Sequence, residues 1–203
     1  MGRLQTFDNS VVVQAARDLF WDKGYEAASL ADLEAATGLG RSSLYHAFGS
    51  KRGLFDAAVT DYLDTVIRPR LAVLRAGTPD ASALLEYFDG LSRATAALAG
   101  DSPRTGCLLV NCAAGLAAHD DPARAVVEGY RVELADALRH ALTSASASNA
   151  ADADPARLDE RVRTLASLSM SAMLVARVNR DEAVALLDTA ASQVRTWFPG
   201  SPA

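Results

Sequence analysis

The stretch from Ser29 to Lys51, SLADLEAATGLGRSSLYHAFGSK, restricts the fold of this chain more than any other. Ser29 stands three residues before Asp32, the reciprocal capping arrangement that opens a helix, and Leu30 and Leu33 begin an apolar run behind it. Gly38 ends that helix, because a helix terminus calls for a left-handed residue and glycine takes that conformation without a Cβ clash. Leu39 then folds back onto the hydrophobic side of the turn. Gly40 is the N-cap of a second helix, RSSLYHAF, whose Leu44 and Phe48 point inward. Arg41, Ser42, Ser43, Tyr45 and His46 are left for its outer face. The pattern is helix, tight glycine turn, helix, with a small polar face left over.

Charge indicates what that face is for. No acidic residue lies between Ala35 and Phe55, yet Arg41, Lys51 and Arg52 all do, in a chain of net charge −5. A positive patch bearing hydroxyls and an imidazole at a helix start suits phosphate oxygens and base edges. The acidic total excludes an indiscriminate nucleic-acid coat, so any DNA contact is confined to the patch. With 203 residues, half of them apolar, the chain can bury a sizeable core. Two cysteines form no disulfide framework and suit a reducing compartment. No segment has the apolar length of a bilayer span or of a targeting signal, so a soluble cytoplasmic protein is expected, with no membrane partner.

Strand-type alternation is almost absent, and Pro and Gly fall between segments of helical period, so the chain reads as all-α with about nine helices. The first opens at Asp8 and runs to Lys23, with Val12, Ala16, Leu19 and Phe20 on one stripe and Gly24 as its stop. It braces the two short helices in a three-helix head. A fourth helix, capped by Ser50, leads out of the head to about Pro69. A fifth is expected over Asp80 to Ala99, a sixth just after Gly106, and a seventh at Pro122, a residue suited to a first turn. The low-complexity segment TSASASNAADAD, 143–154, reads as a mobile loop. The eighth helix follows Pro155 and the ninth follows Asn179. Both carry Ala and Ser beside their apolar stripes and are expected to form a two-fold dimer surface, since one helix-turn-helix reads only half a site. The expected division is a head over 1–55 and a helical bundle for ligand binding and dimerisation over 56–203.

The run AARDLFWDKGYEAASLADLEAATGLGRSSLYHAFGSKRGLF resembles the DNA-binding head of TetR-family transcriptional regulators, including the Leu44–Tyr45 pair, Phe48 and Lys51. The resemblance covers the first quarter to third of the chain. It implies a homodimer of nine-helix subunits that binds palindromic operator DNA, usually as a repressor, and releases it when a small-molecule inducer enters the second domain. By position it implies that Arg41, Ser42 and Ser43 enter the major groove and that Tyr45, His46 and Lys51 meet phosphates, with Ser29 also among the DNA-binding set. Gly40 departs from the Ser or Thr more usual in the family. As an N-cap it costs only about a few tenths of a kcal/mol relative to them.

The segment GCLLVN, 106–111, resembles one found in a branch of the same family that answers to electrophiles, oxidants or metals. Placed in the first turn of a helix with Arg104 nearby, Cys107 would favour the thiolate; alternatively Cys107 and Cys112 are small buried hydrophobes. On one regular helix they are about 140° apart and at least about 8 Å apart between α-carbons, outside disulfide reach. His119 and His140 match no familiar ligand spacing, so neither a metal nor a cofactor is expected. Tyr87, Phe88, Met170 and Met173 could line an apolar ligand pocket or belong to the plain core. Two other classes remain: a helical protein-interaction module without DNA binding, and a thiol enzyme using Cys107 or Cys112 with His119. The second lacks an orienting group and an oxyanion turn, and no catalytic residue is expected.

Overall fold

Asp8 caps the first helix, α1 (Asn9–Lys23), by accepting the Ser10 N–H. The computed structural model describes residues 8–99, 102–147 and 154–199, and the regular structure among them is entirely helical. Gly24 closes α1 at φ 78° and returns its N–H to Phe20. The short helices α2 (Leu30–Thr37) and α3 (Arg41–Phe48) then pack on α1 and on the start of α4 (Lys51–Tyr62). Their common core holds Phe20, Leu33, Leu44, Leu54 and Phe55, with Phe20 and Phe55 edge to face at 5.2 Å between ring centroids. Ser50 caps α4 through the Gly53 N–H.

The way out of the head differs from the sequence expectation. The rod does not stop near Pro69; it widens into one π-helical turn at Leu63–Ile67 and continues as α5 (Arg68–Leu74). Proline lacks an N–H and its ring collides with the carbonyl one turn back, and a wider turn just upstream accommodates both defects. The bundle follows as α6 (Ser82–Ala96), α7 (Leu108–Ala114), α8 (Asp121–Ser146), α9 (Pro155–Val175) and α10 (Arg180–Trp197). With α4, the π turn and α5 taken as one rod, nine α-helical rods occur among the described residues, as expected. In the bundle α10 lies between α6 and α9, α9 on α8, and α8 against α5 and α7. Phe88, Leu134, Leu138, Leu142, Leu165 and Leu187 are among its fully enclosed side chains.

Two further expectations change. Residues 143–146, read as the start of a loop, are the last turn of α8, because Leu142 and Ala145 stay buried and hold that turn down. Residues 148–153 of that loop lie outside the described residues. The helix expected to reach Ala99 ends at Ala96.

Candidate nucleic-acid interface

The helix-turn-helix forms through the contacts its sequence implies. Ser29 Oγ accepts the Asp32 N–H at 3.1 Å, and Asp32 Oδ2 accepts the Ser29 N–H at 2.9 Å and its hydroxyl at 2.7 Å. Lys23 adds an ion pair to Asp32 at 2.7 Å; with the Ser29 hydroxyl it holds the Asp32 carboxyl well below the usual carboxylate range. Ser29 is therefore occupied in capping α2. Its hydroxyl proton and its backbone N–H both go to Asp32. Gly38 takes φ 70°, ψ 9°, the left-handed cap.

At the start of α3, Gly40 supplies no side-chain cap, and Glu34 of α2 accepts the Arg41 N–H instead. The sequence reading missed this residue, although it stands directly before the acid-free window. Arg41, Ser42, Tyr45 and His46 are exposed on one side of α3, Ser43 is half-buried, and Leu44 anchors the opposite side. The Arg41 guanidinium lies 5.3 Å from the Tyr45 ring centroid, in cation–π range. Lys51 Nζ lies 4.6 Å from the Tyr25 ring centroid; burial lowers its pKa and Glu26 opposes that.

Arg52, expected as the third cation of the patch, is already paired: Nε with Asp56 at 2.7 Å and Nη1 with Asp120, the N-cap of α8. Arginines also carry other joints between head and bundle. Arg17 on α1 reaches Asp61 at 2.7 Å and Thr65 Oγ1, in the π turn, at 3.1 Å. Arg104 meets Asp18 at 2.8 Å, and Arg177 donates to the Trp21 and Asp22 carbonyls at the end of α1.

Known proteins resemble this chain over the helix-turn-helix and beyond it. The family described as bacterial regulatory proteins, tetR family, matches residues 12–58. The uncharacterized HTH-type transcriptional regulator YezE of Bacillus subtilis is 30% identical over 182 residues, 89% of this chain and 92% of that protein. The chain belongs to the TetR family. The HTH-type transcriptional repressor BdcR of Escherichia coli is 33% identical over 129 residues, 64% of this chain and 62% of its own. A solved cysteine variant of the TetR family transcriptional regulator CifR, complexed with 26 bp of double-strand operator DNA, superposes with a TM-score of 0.76. It is 34% identical, and the match covers 94% of this chain and 98% of that one. TetR proteins are DNA-binding transcriptional regulators and not enzymes. Among the described residues no helix is long and apolar enough to cross a membrane.

In this TetR protein the residues nominated for sensing separate. Cys107 is not in the first turn of α7 but is its N-cap residue, with extended backbone and 2% exposure. Arg104, expected beside it as an activating charge, is committed to Asp18. The preceding Gly106 sits at φ 77°, where a Cβ would come within 2.5 Å of the Met173 carbonyl. That close approach seats the cysteine inside the bundle. Cys112 is half-buried and burial pushes its thiol pKa up, against the nearby charge of Arg52. Tyr87 and Met173 line cavities, of about 470 Å³ and 240 Å³ respectively, between the rod and α6. Phe88, fully buried, and Met170 line neither of these two cavities.

Proposed function

We propose that this chain is a repressor that binds a palindromic operator as a homodimer and is released by a small-molecule inducer. The observation that carries the reading is α3 itself. Leu44 is locked into the head while Arg41, Ser42, Tyr45 and His46 stand free of it on one exposed face. Side chains on the first turns of such a helix reach base edges, and cations and hydroxyls beside them hold the backbone. The repressor function named for BdcR and the operator complex of CifR support the same assignment.

The division into a head over 1–55 and a ligand-binding and dimerisation part over 56–203 belongs to this proposal, as does pairing through the last two helices. Exposed Ser167, Ser171 and Leu174 on α9, with Ala185, Thr189 and Ser192 on α10, offer a small-residue surface on which a second helix pair can approach closely. Two such heads must lie about 34–36 Å apart to enter successive major grooves.

Titration of fluorescent operator DNA against salt tests the reading. Lys51→Ala is expected to weaken binding to specific and random DNA alike and to lower the salt slope by about 1, and Arg41→Ala to erode the preference for the operator. Equal loss on both DNAs for Arg41→Ala would remove its assignment to base reading.

A thiol-reactive signal through the GCLLVN segment is a second reading. It is favoured by the buried Tyr62 hydroxyl, which lies beside the Cys107 thiol inside the bundle. With Cys107 2% exposed, alkylation by iodoacetamide is expected to be slow in the folded protein. Operator release that is identical in wild type and Cys107→Ser would exclude this signal.

A further inference from the structure

Two cavities run side by side between the α4–α5 rod and α6, sharing Val66, Arg70, Leu91 and Ala94 in their walls. Arg70 is half-buried there, and among the described residues it has neither a carboxylate partner nor a hydrogen bond. Glu86 is the one carboxylate lining either cavity; it is exposed and makes no ion pair with Arg70. Trp21, 4% exposed, lines the inner cavity, and its indole Nε1 is buried without an acceptor. A half-buried cation without a counterion and a buried N–H without an acceptor each leave a favourable interaction unmade. The remaining walls include Val66, Leu91 and Met173, which suit an apolar body.

We propose that this cleft binds a small organic monoanion, a carboxylate or sulfonate on an apolar skeleton, with its acid group on Arg70 and its skeleton against Val66, Leu91 and Met173. The proposal rests on the reading of this protein as an inducible regulator and specifies the class of inducer. It also specifies the route to the DNA. Thr65 and Val66 belong to the π turn, and Arg17, which lines the inner cavity, ties α1 to that turn through Thr65 and Asp61. An anion in the cleft competes with Asp61 for Arg17 and presses on the turn that joins head to bundle. π-helical turns are rare, and they concentrate at functional sites.

Two fluorescent probes of similar skeleton test this on DNA-free protein: anilinonaphthalene sulfonate, an anion, and the uncharged N-phenylnaphthylamine. Arg70→Gln is expected to weaken sulfonate binding by about tenfold or more, leave the neutral probe unchanged, and be partly rescued by Arg70→Lys. Circular dichroism confirms the fold of each variant, and Arg70→Met stands in if Arg70→Gln fails to fold. In Trp197→Phe, where Trp21 is the remaining indole, bound sulfonate is expected to accept energy from Trp21. Unchanged sulfonate affinity in a folded Arg70 variant, equal weakening of both probes, or no energy transfer from Trp21 would overturn the proposal. Since no DNA is present, failure of the operator reading leaves this result standing. A second titration on the protein–operator complex then shows separately whether the sulfonate releases DNA.

Discussion

In the head, most helix ends are closed by a residue a few positions away, whereas the bundle helices, some of them locally capped as well, are placed by side chains brought together from distant parts of the chain. Ser29 and Asp32 close α2, Gly38 ends it, and Ser50 opens α4. In the bundle, Phe88 of α6, Leu138 of α8 and Leu187 of α10 are buried in one core. Between the two lie arginine joints at Arg17, Arg52, Arg104 and Arg177. The difference implies that the head is a locally determined reading unit, while the bundle and its polar joints hold the part that can respond. The joints at Arg52 and Arg104 suit that task, since a partly exposed ion pair is worth little in stability and can be exchanged for another.

The largest effect that would sharpen this contrast comes from the bundle. Leu138→Ala empties a fully buried site and should cost about 3 kcal/mol, from the lost transfer energy and the remaining cavity. At this size each kcal/mol moves Tm by about 2–4 °C, so thermal unfolding reads the change directly. If the head is locally determined, α3 should keep its DNA-facing geometry in this variant, and operator affinity at low temperature should change less than Tm suggests. A matching collapse of DNA binding would show that the head depends on the bundle for its shape.

Gly53→Ala tests the head in the same way with a smaller expected cost. A Cβ at position 53 would lie 2.0 Å from the Phe48 carbonyl oxygen, where backbone has to move. Overpacking of this kind costs about 2 kcal/mol. Because α3 ends at Phe48, the shift should reach the recognition face, so loss of operator binding is expected to accompany the loss of Tm. Preserved affinity would mean that α3 tolerates displacement of its C-terminal end.

What the sequence disclosed follows the same line between near and far. The capping box, the glycine stops and the outward face of α3 were legible because each depends on spacing within one turn or two. The third cation of the patch, Arg52, was legible only in part. Its i,i+4 partner Asp56 lies within one turn, but Asp120, which also draws it off, is 68 residues further along, and no local pattern carries that contact. Glu34 at the start of α3 lies seven residues from Arg41 across the turn, a contact that exists only once the turn has formed. The nominated sensing residues fared as core patterns do. An apolar stripe shows which side chains turn inward, and it cannot distinguish Met173, on a cavity, from Phe88, in solid packing.

The joint itself is probed by Asp120, which both caps α8 through the Ala123 N–H and receives Arg52. Asp120→Asn keeps a capping acceptor and removes the charge; Asp120→Ala removes both. Tm is expected to fall further for Ala than for Asn, and the Asn variant isolates the head-to-bundle ion pair. A change in the inducer concentration needed for operator release, with little change in Tm, would identify this joint as part of the response.

The smallest effect separates cap from joint by acid. Asp32 and Asp120 both have carboxyls lowered below the ordinary range. Lys23 and then the Ser29 hydroxyl lower Asp32, and the Ala123 N–H and then Arg52 lower Asp120. For a group lowered in the folded state, the stabilisation is complete above its unfolded pKa, about 3.9 for Asp, and is lost as pH falls through the folded value. Urea unfolding midpoints should therefore hold steady above about pH 5 and decline as acid is added below about pH 4. Asp32→Asn removes the contribution from the head, and Asp120→Asn that from the joint. Both carboxylates are well solvated, so each variant should flatten only part of the decline. A decline left intact in the double variant would place the acid sensitivity elsewhere.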